Sequence, residues 1–220
     1  MKADLHIHSI FSHDSIAKPE SILAAAVDRG IGIISITDHE TTRGWKSFHE
    51  LSGKYNVIVI PGQEVKVYNS KNEVDGELLC LFLQKPITSR TVPEIIEEVK
   101  AQGGLVSIAH PFSERRCEFR GYMDISDWKS IGVEVMNGRT YNRRDDEMAQ
   151  AMADRLKTFI TAGSDAHTPF EVGHVFLEFD GSTAEDLKTA ILNRDVQVAG
   201  HSSNPLFSLI SSFGRIGLAL

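Results

Sequence analysis

The sequence contains little cysteine and no run of apolar residues long enough to form a membrane span. Only Cys80 and Cys117 occur among 220 residues, far apart and without zinc-type spacing. They predict reduced intracellular thiols and argue against a disulfide framework. The amino-terminal MKADLHIHS lacks the apolar core of a signal peptide. We therefore expect a cytoplasmic protein that is not inserted in a membrane.

The carboxyl-terminal LFSLISSFGRIGLAL is apolar in part, but it contains Arg215 and is too short to cross a bilayer. Its apolar residues Leu206, Leu209, Ile210 and Phe213 fall at helical spacing. This pattern predicts a closing helix over about residues 204–218 that docks on the body of the protein.

Positive charge is also scarce. Lys and Arg number 23 against 30 Asp and Glu, which gives a net charge of −7. This balance argues against a protein that coats long nucleic acid, because phosphate binding needs a basic face. It does not exclude nucleotide substrates, since divalent metals could supply positive charge locally. No low-complexity linker or internal repeat interrupts the chain, so residues 1–220 are expected to form one domain.

Short β-type runs alternate with helical stretches. The runs are KADLHI, IGIISITD, VIVIPGQEV, ELLCLFL, GLVSIAHP, IGVEVMNG and KTFITAGSDAH, and helices are predicted over 19–29, 91–102, 143–156 and 182–193. Alternation of this kind predicts a parallel α/β sheet. Seven strands without a glycine-rich nucleotide loop favour a distorted (β/α)7 barrel, with an open doubly wound sheet as the alternative.

Ionisable residues follow five of these seven strands. They are His6 and His8 on the first, Asp38 and His39 on the second, Glu64 on the third, His110 on the fifth, and Asp165 with His167 on the seventh. In an α/β barrel the carboxyl ends of the strands meet on one face, where active sites assemble. Imidazoles and carboxylates gathered there are typical ligands of divalent metals. Alternation along the first strand places His6 and His8 on the same side.

Four of these stretches, ADLHIHS, SITDHE, SIAHP and AGSDAHT, occur in the order of the motifs of a known family. The chain resembles the PHP (polymerase and histidinol phosphatase) superfamily of metal-dependent phosphoesterases over nearly its whole length. The resemblance implies a distorted seven-stranded β/α barrel. It also implies two or three divalent metal ions, variously zinc, manganese, iron or magnesium.

The resemblance further implies a role for each matching residue. It assigns His6, His8 and Asp165 to one metal, Glu64 as a bridge to a second metal held by His110, and Asp14, His39 and His167 to a third. Glu77 stands where many relatives carry histidine, and it is a candidate ligand of the second metal. Asp4 and Asp38 are expected to orient neighbouring imidazoles.

The resemblance implies hydrolysis of a phosphate ester, for which a metal-activated water would serve without a Ser or Cys nucleophile. His167 or His13 is the expected proton donor to the leaving oxygen. Arginines just beyond two strands are expected on the rim of the site, where they would contact phosphate. They are Arg116 and Arg139, together with Arg115, Arg120, Arg143 and Arg144.

The expected substrate is a small phosphorylated metabolite, a nucleotide or an oligonucleotide end, rather than long nucleic acid or a membrane. Two alternatives stay open. One is a phosphatase that cleaves monoesters of the histidinol phosphate type. The other is a catalytically silent, metal-binding regulatory module.

Overall fold

The computed structural model describes residues 1–113, 116, 118–207, 210 and 211. Arg115, Cys117 and most of the predicted closing helix lie outside them. The described part forms nine strands in one sheet, with five α-helices. The strands are β1 (Lys2–Ile7), β2 (Ile33–Ile36), β3 (Ile58–Tyr68), β4 (Val74–Leu81), β5 (Leu105–Ile108), β6 (Ile131–Asn137), β7 (Ile160–Gly163), β8 (Val175–Phe179) and β9 (Val196–Gly200). The helices are α1 (Pro19–Asp28), α2 (Trp45–Tyr55), α3 (Val92–Lys100), α4 (Arg143–Leu156) and α5 (Ala184–Asn193).

The first seven strands curl into a barrel. Their order in the sheet follows the chain from β1 to β7, and the two ends of the series meet at Ile7 and Ala166, which form a parallel bridge. The amide of His8 donates to the carbonyl of Ala166 at 2.9 Å. The α/β barrel-like fold predicted from the alternation is therefore confirmed. The strand count differs, because two further antiparallel strands extend the sheet: β8 pairs with the start of β1, and β9, which follows α5, pairs with β8.

The expectation of an entirely parallel sheet is wrong at β4, which runs antiparallel to both β3 and β5. No helix separates β3 from β4. The chain reverses at a turn where the side chain of Asn69 accepts hydrogen bonds from the amides of Lys71 and Glu73, and Asn72 takes a left-handed φ of 61°. As a result, the beginning of β4 lies at the edge of the barrel where the parallel strands end.

The predicted helices are confirmed within two residues. Pro19 opens α1 and Gly30 follows its end with a φ of 66°, which is the expected asymmetry of helix ends. Thr183 and Asp186 form a reciprocal capping box on α5. Strands β2, β5 and β7 have four residues each, and every one of these residues is buried. Their largely apolar sequences favour this burial. No helix within the described ranges is long and apolar enough to cross a bilayer.

A buried carboxylate reinforces the contact between the two ends of the barrel. Asp4 on β1 accepts hydrogen bonds from the amides of Ser164, at 2.9 Å, and Gly173, at 2.7 Å. Asp4 therefore contacts backbone amides, and the expectation that it orients an imidazole is wrong. Burial raises the pKa of Asp4 to about 6 despite these hydrogen bonds. Both β1, which carries His6, and the segment after β7 are held by this one side chain.

Replacing Gly163 with alanine should open the contact between β1 and β7. A Cβ at this position would lie 2.4 Å from the Cβ of His6 and 2.5 Å from its backbone nitrogen. Because backbone cannot yield locally, we expect the free energy of unfolding in urea to fall by about 1–3 kcal/mol or more. Gly53→Ala is the matched control, since nothing lies within 4 Å of its added Cβ and a helical alanine stabilises by about 0.5–1 kcal/mol. Equal stability of the two variants would contradict this closure.

Candidate metal centre

His6 and His8 lie at the end of β1 with their ring nitrogens facing each other. Their Nε2 atoms are 3.0 Å apart, and both side chains are fully buried. Ile7 points to the opposite face and packs in the apolar core. The two-residue period of the strand therefore places both imidazoles in one site, as the sequence predicts.

The carboxylate of Glu64 lies at the centre of four imidazoles. Its Oε1 is 3.4 Å from Nε2 of His6 and 3.2 Å from Nε2 of His110. Its Oε2 is 3.3 Å from Nε2 of His8 and 2.9 Å from Nδ1 of His39. Glu64 does not end its strand as expected, because β3 continues into the hairpin with β4. Each oxygen of one buried carboxylate thus faces a different pair of imidazoles.

Asp165 completes the group around His6 and His8. Its Oδ1 is 3.6 Å from Nε2 of His6 and 3.4 Å from Nε2 of His8. A second group forms beside it around Asp14. The Oδ2 of Asp14 is 3.3 Å from Nε2 of His39 and 3.1 Å from Nε2 of His167. The loop after β1 and the ends of β2 and β7 therefore converge.

Glu77 reaches the same centre from β4. Its Oε2 is 3.6 Å from Nε2 of His110, and its Oε1 is 3.9 Å from Nδ1 of His39. The antiparallel direction of β4 makes this possible, because it brings an early residue of that strand to the face where β3 and β5 carry Glu64 and His110.

Two of the converging residues have strained backbone conformations. His110 and Asp165 each follow a strand by two residues and have positive φ values of 27° and 53°. This region is unfavourable for residues other than glycine, and such strain clusters at functional sites. At both positions it redirects the side chain from the sheet into the centre.

Glu134 and Asn137 on β6 support the centre, and the sequence interpretation missed both. Glu134 Oε1 lies 2.8 Å from Nδ1 of His6, and its Oε2 accepts from the amide of His110 at 2.8 Å. Asn137 Nδ2 donates to Oδ2 of Asp165 at 3.2 Å. A glutamate in the otherwise apolar run IGVEVM was the available signal, because a buried charge needs a partner.

Arg116 and Arg139 lie at the mouth of the centre, where they were expected. Arg116 contacts the carboxylate of Asp165 and donates to Asn137 at 3.0 Å. Arg139 donates from Nε to the fully buried Glu171 at 2.9 Å. Lys66 on β3 also lines the mouth, and the sequence interpretation missed both Lys66 and Glu171. The expectation is wrong for Arg120, Arg143 and Arg144, which do not line this cavity.

The two expected proton donors occupy different positions. His167 is buried, and its Nδ1 lies 2.8 Å from the carbonyl of Asp165 while Nε2 faces Asp14. His13 lines the cavity with its side chain 65% exposed. Asp38 acts on an imidazole only indirectly, because it accepts from Ser12 Oγ, which in turn contacts Nδ1 of His8.

Neighbouring imidazoles of the centre have opposite pKa shifts. Burial disfavours the charged form of His6, but Glu134 and Glu64 outweigh it and raise the pKa to about 10. Burial, reinforced by the charge on His39, lowers the pKa of His8 well below its usual range. The cationic form is therefore favoured on His6 and disfavoured on His8.

The pKa values of His39, His167 and Glu77 are also shifted in different directions. Burial opposes charge on His39, but Glu64 and Asp14 raise its pKa to about 10. Burial lowers the pKa of His167 to about 4, although Asp14 opposes the change. Burial and Glu64 raise the pKa of Glu77 to about 7. A cation that binds here must displace imidazole protons, so its apparent affinity should increase as the pH rises toward 10.

The donor set fits divalent metal ions. Three groups of side chains each offer ligand atoms that all lie within 4.8 Å of one another: His6, His8 and Glu64; His8, Asp14, His39 and His167; and His39, Glu64 and Glu77. Asp14 Oδ1 and His110 Nδ1 are buried without a hydrogen-bond partner. Imidazoles and carboxylates this close together are suited to cations.

A cavity of about 800 Å³ opens over the centre. This volume is within the range of roughly 300–1,000 Å³ that is usual for small-molecule sites. Its floor is formed by the imidazoles and carboxylates, and its wall includes Lys66, Arg116, Arg139 and Tyr141. The cavity thus combines a metal-binding floor with a cationic wall, an arrangement suited to phosphate.

The fold and this centre are those of a metal-dependent phosphoesterase. Comparison with protein families agrees: the PHP domain model matches residues 4–110, and the PHP-associated model matches residues 143–196. The chain belongs to the PHP domain family, and it is a hydrolase that acts on phosphate esters.

Known proteins resemble the chain over most of its length. An uncharacterized protein of Methanocaldococcus jannaschii is 38% identical over 148 residues, which cover 62% of this chain and 82% of that protein. The 5′-3′ exoribonuclease Rnm of Salmonella typhimurium is 27% identical over 170 residues, covering 76% of this chain and 56% of Rnm. A two-domain protein of Bacteroides vulgatus containing a predicted PHP-like metal-dependent phosphoesterase superposes with a TM-score of 0.76 at 19% identity, covering 98% of this chain and 69% of that protein.

Glu134→Gln should weaken metal binding, although Glu134 has no direct place in the three donor groups. Loss of the carboxylate that orients His6 typically reduces metal affinity about 10- to 100-fold, and this loss should outweigh the weaker competition from protons. The variant should also release fewer protons on binding, because Glu134 helps to raise the pKa of His6. Calorimetry of Mn²⁺ with metal-stripped protein, in two buffers of different ionisation enthalpy at pH 8, measures both.

The control for this experiment is Glu147→Gln, which removes a carboxylate that pairs with Arg143 on the exposed side of α4. It should bind Mn²⁺ like the unmodified protein. Wild-type affinity and proton release in Glu134→Gln would contradict the orienting role.

Proposed function

We propose that the protein hydrolyses phosphodiesters of a small phosphorylated metabolite, a nucleotide or an oligonucleotide end. The observation that carries this proposal is the position of Glu64, whose two oxygens face separate pairs of imidazoles beneath a cationic wall. Cytoplasmic location stays a prediction from cysteine usage.

In this proposal the ligands fall into three groups that share Glu64 and its neighbours. His6, His8 and Asp165 would hold one metal, His110 with Glu77 would hold a second, and Glu64 would contribute to both. Asp14, His39 and His167 surround a possible third position. The proposal thus requires two metal ions, and it allows a third. The distances between donor atoms support this division.

Bound metal ions would supply a water molecule of lowered pKa and neutralise charge on the phosphoryl oxygens. The chain itself contributes the cations of the wall. Arg139 is held by the buried Glu171, so its guanidinium is fixed in orientation, and Arg116 and Lys66 stand beside it at the same mouth. Arginine suits bidentate contacts with phosphate oxygens. These three side chains would hold the substrate phosphate over the centre.

His13 is the better candidate for proton donor to the leaving oxygen. In His167 the Nδ1–H group donates to the carbonyl of Asp165, so Nε2 of the neutral ring presents a lone pair toward Asp14 and would serve as a ligand atom. The exposed ring of His13 lines the cavity wall. A leaving alcohol that points toward solvent would therefore meet His13 first.

Two observations support a phosphodiester substrate. One relative is named an exoribonuclease, and the nucleotides of RNA are joined by phosphodiesters; the cavity of about 800 Å³ is also large enough for a nucleotide. The net charge of −7 also disfavours long nucleic acid. The experiment must distinguish this proposal from two alternative hypotheses. One is a histidinol-phosphate-type monoesterase, and the other is a catalytically silent metal-binding module.

Metal-stripped protein resupplied with Mn²⁺ or Zn²⁺ should hydrolyse bis-p-nitrophenyl phosphate faster than p-nitrophenyl phosphate. The panel also includes 3′,5′-bisphosphonucleotides, short oligonucleotides and histidinol phosphate. His8→Ala should reduce turnover to that of the stripped protein, because it removes a donor shared by two groups of the centre. Release of p-nitrophenol and of inorganic phosphate provides the measurements.

His49→Ala is the matched control, since His49 lies on the exposed surface of α2, and it should retain full activity. Preference for histidinol phosphate would favour the monoesterase. Tight binding of metal without turnover of any substrate would overturn the enzymatic proposal in favour of the silent module.

A further inference from the structure

The donor atoms are not evenly distributed across the centre. One side, the imidazole-rich group, contains His8, Asp14, His39 and His167, which offer three ring nitrogens and one carboxylate oxygen within 4.8 Å of one another. Three imidazoles and a carboxylate match the donors and the fourfold coordination that zinc prefers.

The other side, the carboxylate-rich group, contains Glu64, Glu77 and His110. Nε2 of His110 is 3.2 Å from Glu64 and 3.6 Å from Glu77. Two carboxylates and one imidazole make a harder donor set, of the kind that suits manganese or magnesium. Glu77 decides this character, because it supplies the second carboxylate.

Lys66 supports the presence of an additional carboxylate here. It lies directly opposite Glu77 in the antiparallel pair of β3 and β4, and the two residues therefore share a face of the sheet. Glu77 itself is buried, so a cation placed across the strand pair offsets part of its charge.

We propose that the two sides of the centre select different metals, with zinc in the imidazole-rich group and manganese in the carboxylate-rich group because of Glu77. This inference rests on the metal binding proposed above, requires that the third position beside Asp14, His39 and His167 is also filled, and adds the identity of the ions at that position and at the second. Zinc generally binds a given site more tightly than manganese. The claim therefore concerns the ratio of the two affinities, which should be much smaller at the carboxylate-rich group.

Electron paramagnetic resonance of free Mn²⁺ tests the proposal without measuring turnover. Metal-stripped protein receives one equivalent of Zn²⁺ and is then titrated with Mn²⁺, whose signal decreases on binding. Wild-type protein should bind at least one equivalent of Mn²⁺ while it retains the zinc. Glu77→His should weaken Mn²⁺ binding about tenfold or more and tighten a second equivalent of Zn²⁺ by a similar factor, since an imidazole replaces an oxygen donor.

Two further variants test whether the effect depends on the charge of Glu77 and on the position of the new imidazole. Glu77→Gln keeps the size of the side chain but not its charge, and it should also weaken Mn²⁺ binding while leaving the first equivalent of Zn²⁺ unchanged. Glu97→His places the same new imidazole on the exposed face of α3 and should alter neither metal.

The outcomes separate this inference from the proposed function. If no metal binds to the wild-type protein, the proposed function itself fails. If both metals bind but Glu77→His and Glu77→Gln retain the wild-type ratio of zinc to manganese affinity, only the selective role of Glu77 is overturned. Displacement of the zinc by the added Mn²⁺ would also overturn it.

Discussion

The carboxylate of Glu64 is the point at which the site is organised. It is buried, and its two oxygens lie 2.9 to 3.4 Å from ring nitrogens of four histidines that come from β1, the end of β2 and the end of β5. An isolated buried carboxylate is costly, and it is stable only when charge or hydrogen bonds compensate it. Here the compensation comes from imidazoles that themselves need a cation or a proton. This need for compensating charge explains why four imidazoles lie so close to one carboxylate.

The barrel and the centre depend on each other through β1. Asp4 ties this strand to the segment after β7, and Gly163 leaves room for the backbone of His6 to approach. Two residues further on, the same strand delivers His6 and His8 to the centre. Closure of the barrel therefore also fixes the distance between these histidines and Asp165. Backbone strain at His110 and Asp165 indicates that the surrounding packing, rather than local preference, determines where these side chains point.

Much of this arrangement could be predicted from the sequence. Alternation in HIH and the position of ionisable residues after apolar runs were enough to bring His6, His8, His39, His110 and Asp165 together, because parallel strands end on one face. The direction of β4 could not be predicted, since the apolar run ELLCLFL has the same pattern in a parallel and an antiparallel strand. The hydrogen bonds that Glu134, Asn137 and Glu171 make with His6, Asp165 and Arg139 could not be predicted either. Those contacts join residues more than 20 positions apart, and only the fold brings them together.

The most direct test of a bridging Glu64 is a crystal structure of the protein grown with Mn²⁺, with anomalous scattering used to locate the ions. We expect two anomalous peaks ~3.5–4 Å apart, both adjacent to the Glu64 carboxylate. His6, His8 and Asp165 should surround the first peak, and His110 and Glu77 the second. Peaks that leave Glu64 without a metal, or a single ion held only by Asp14, His39 and His167, would contradict the account.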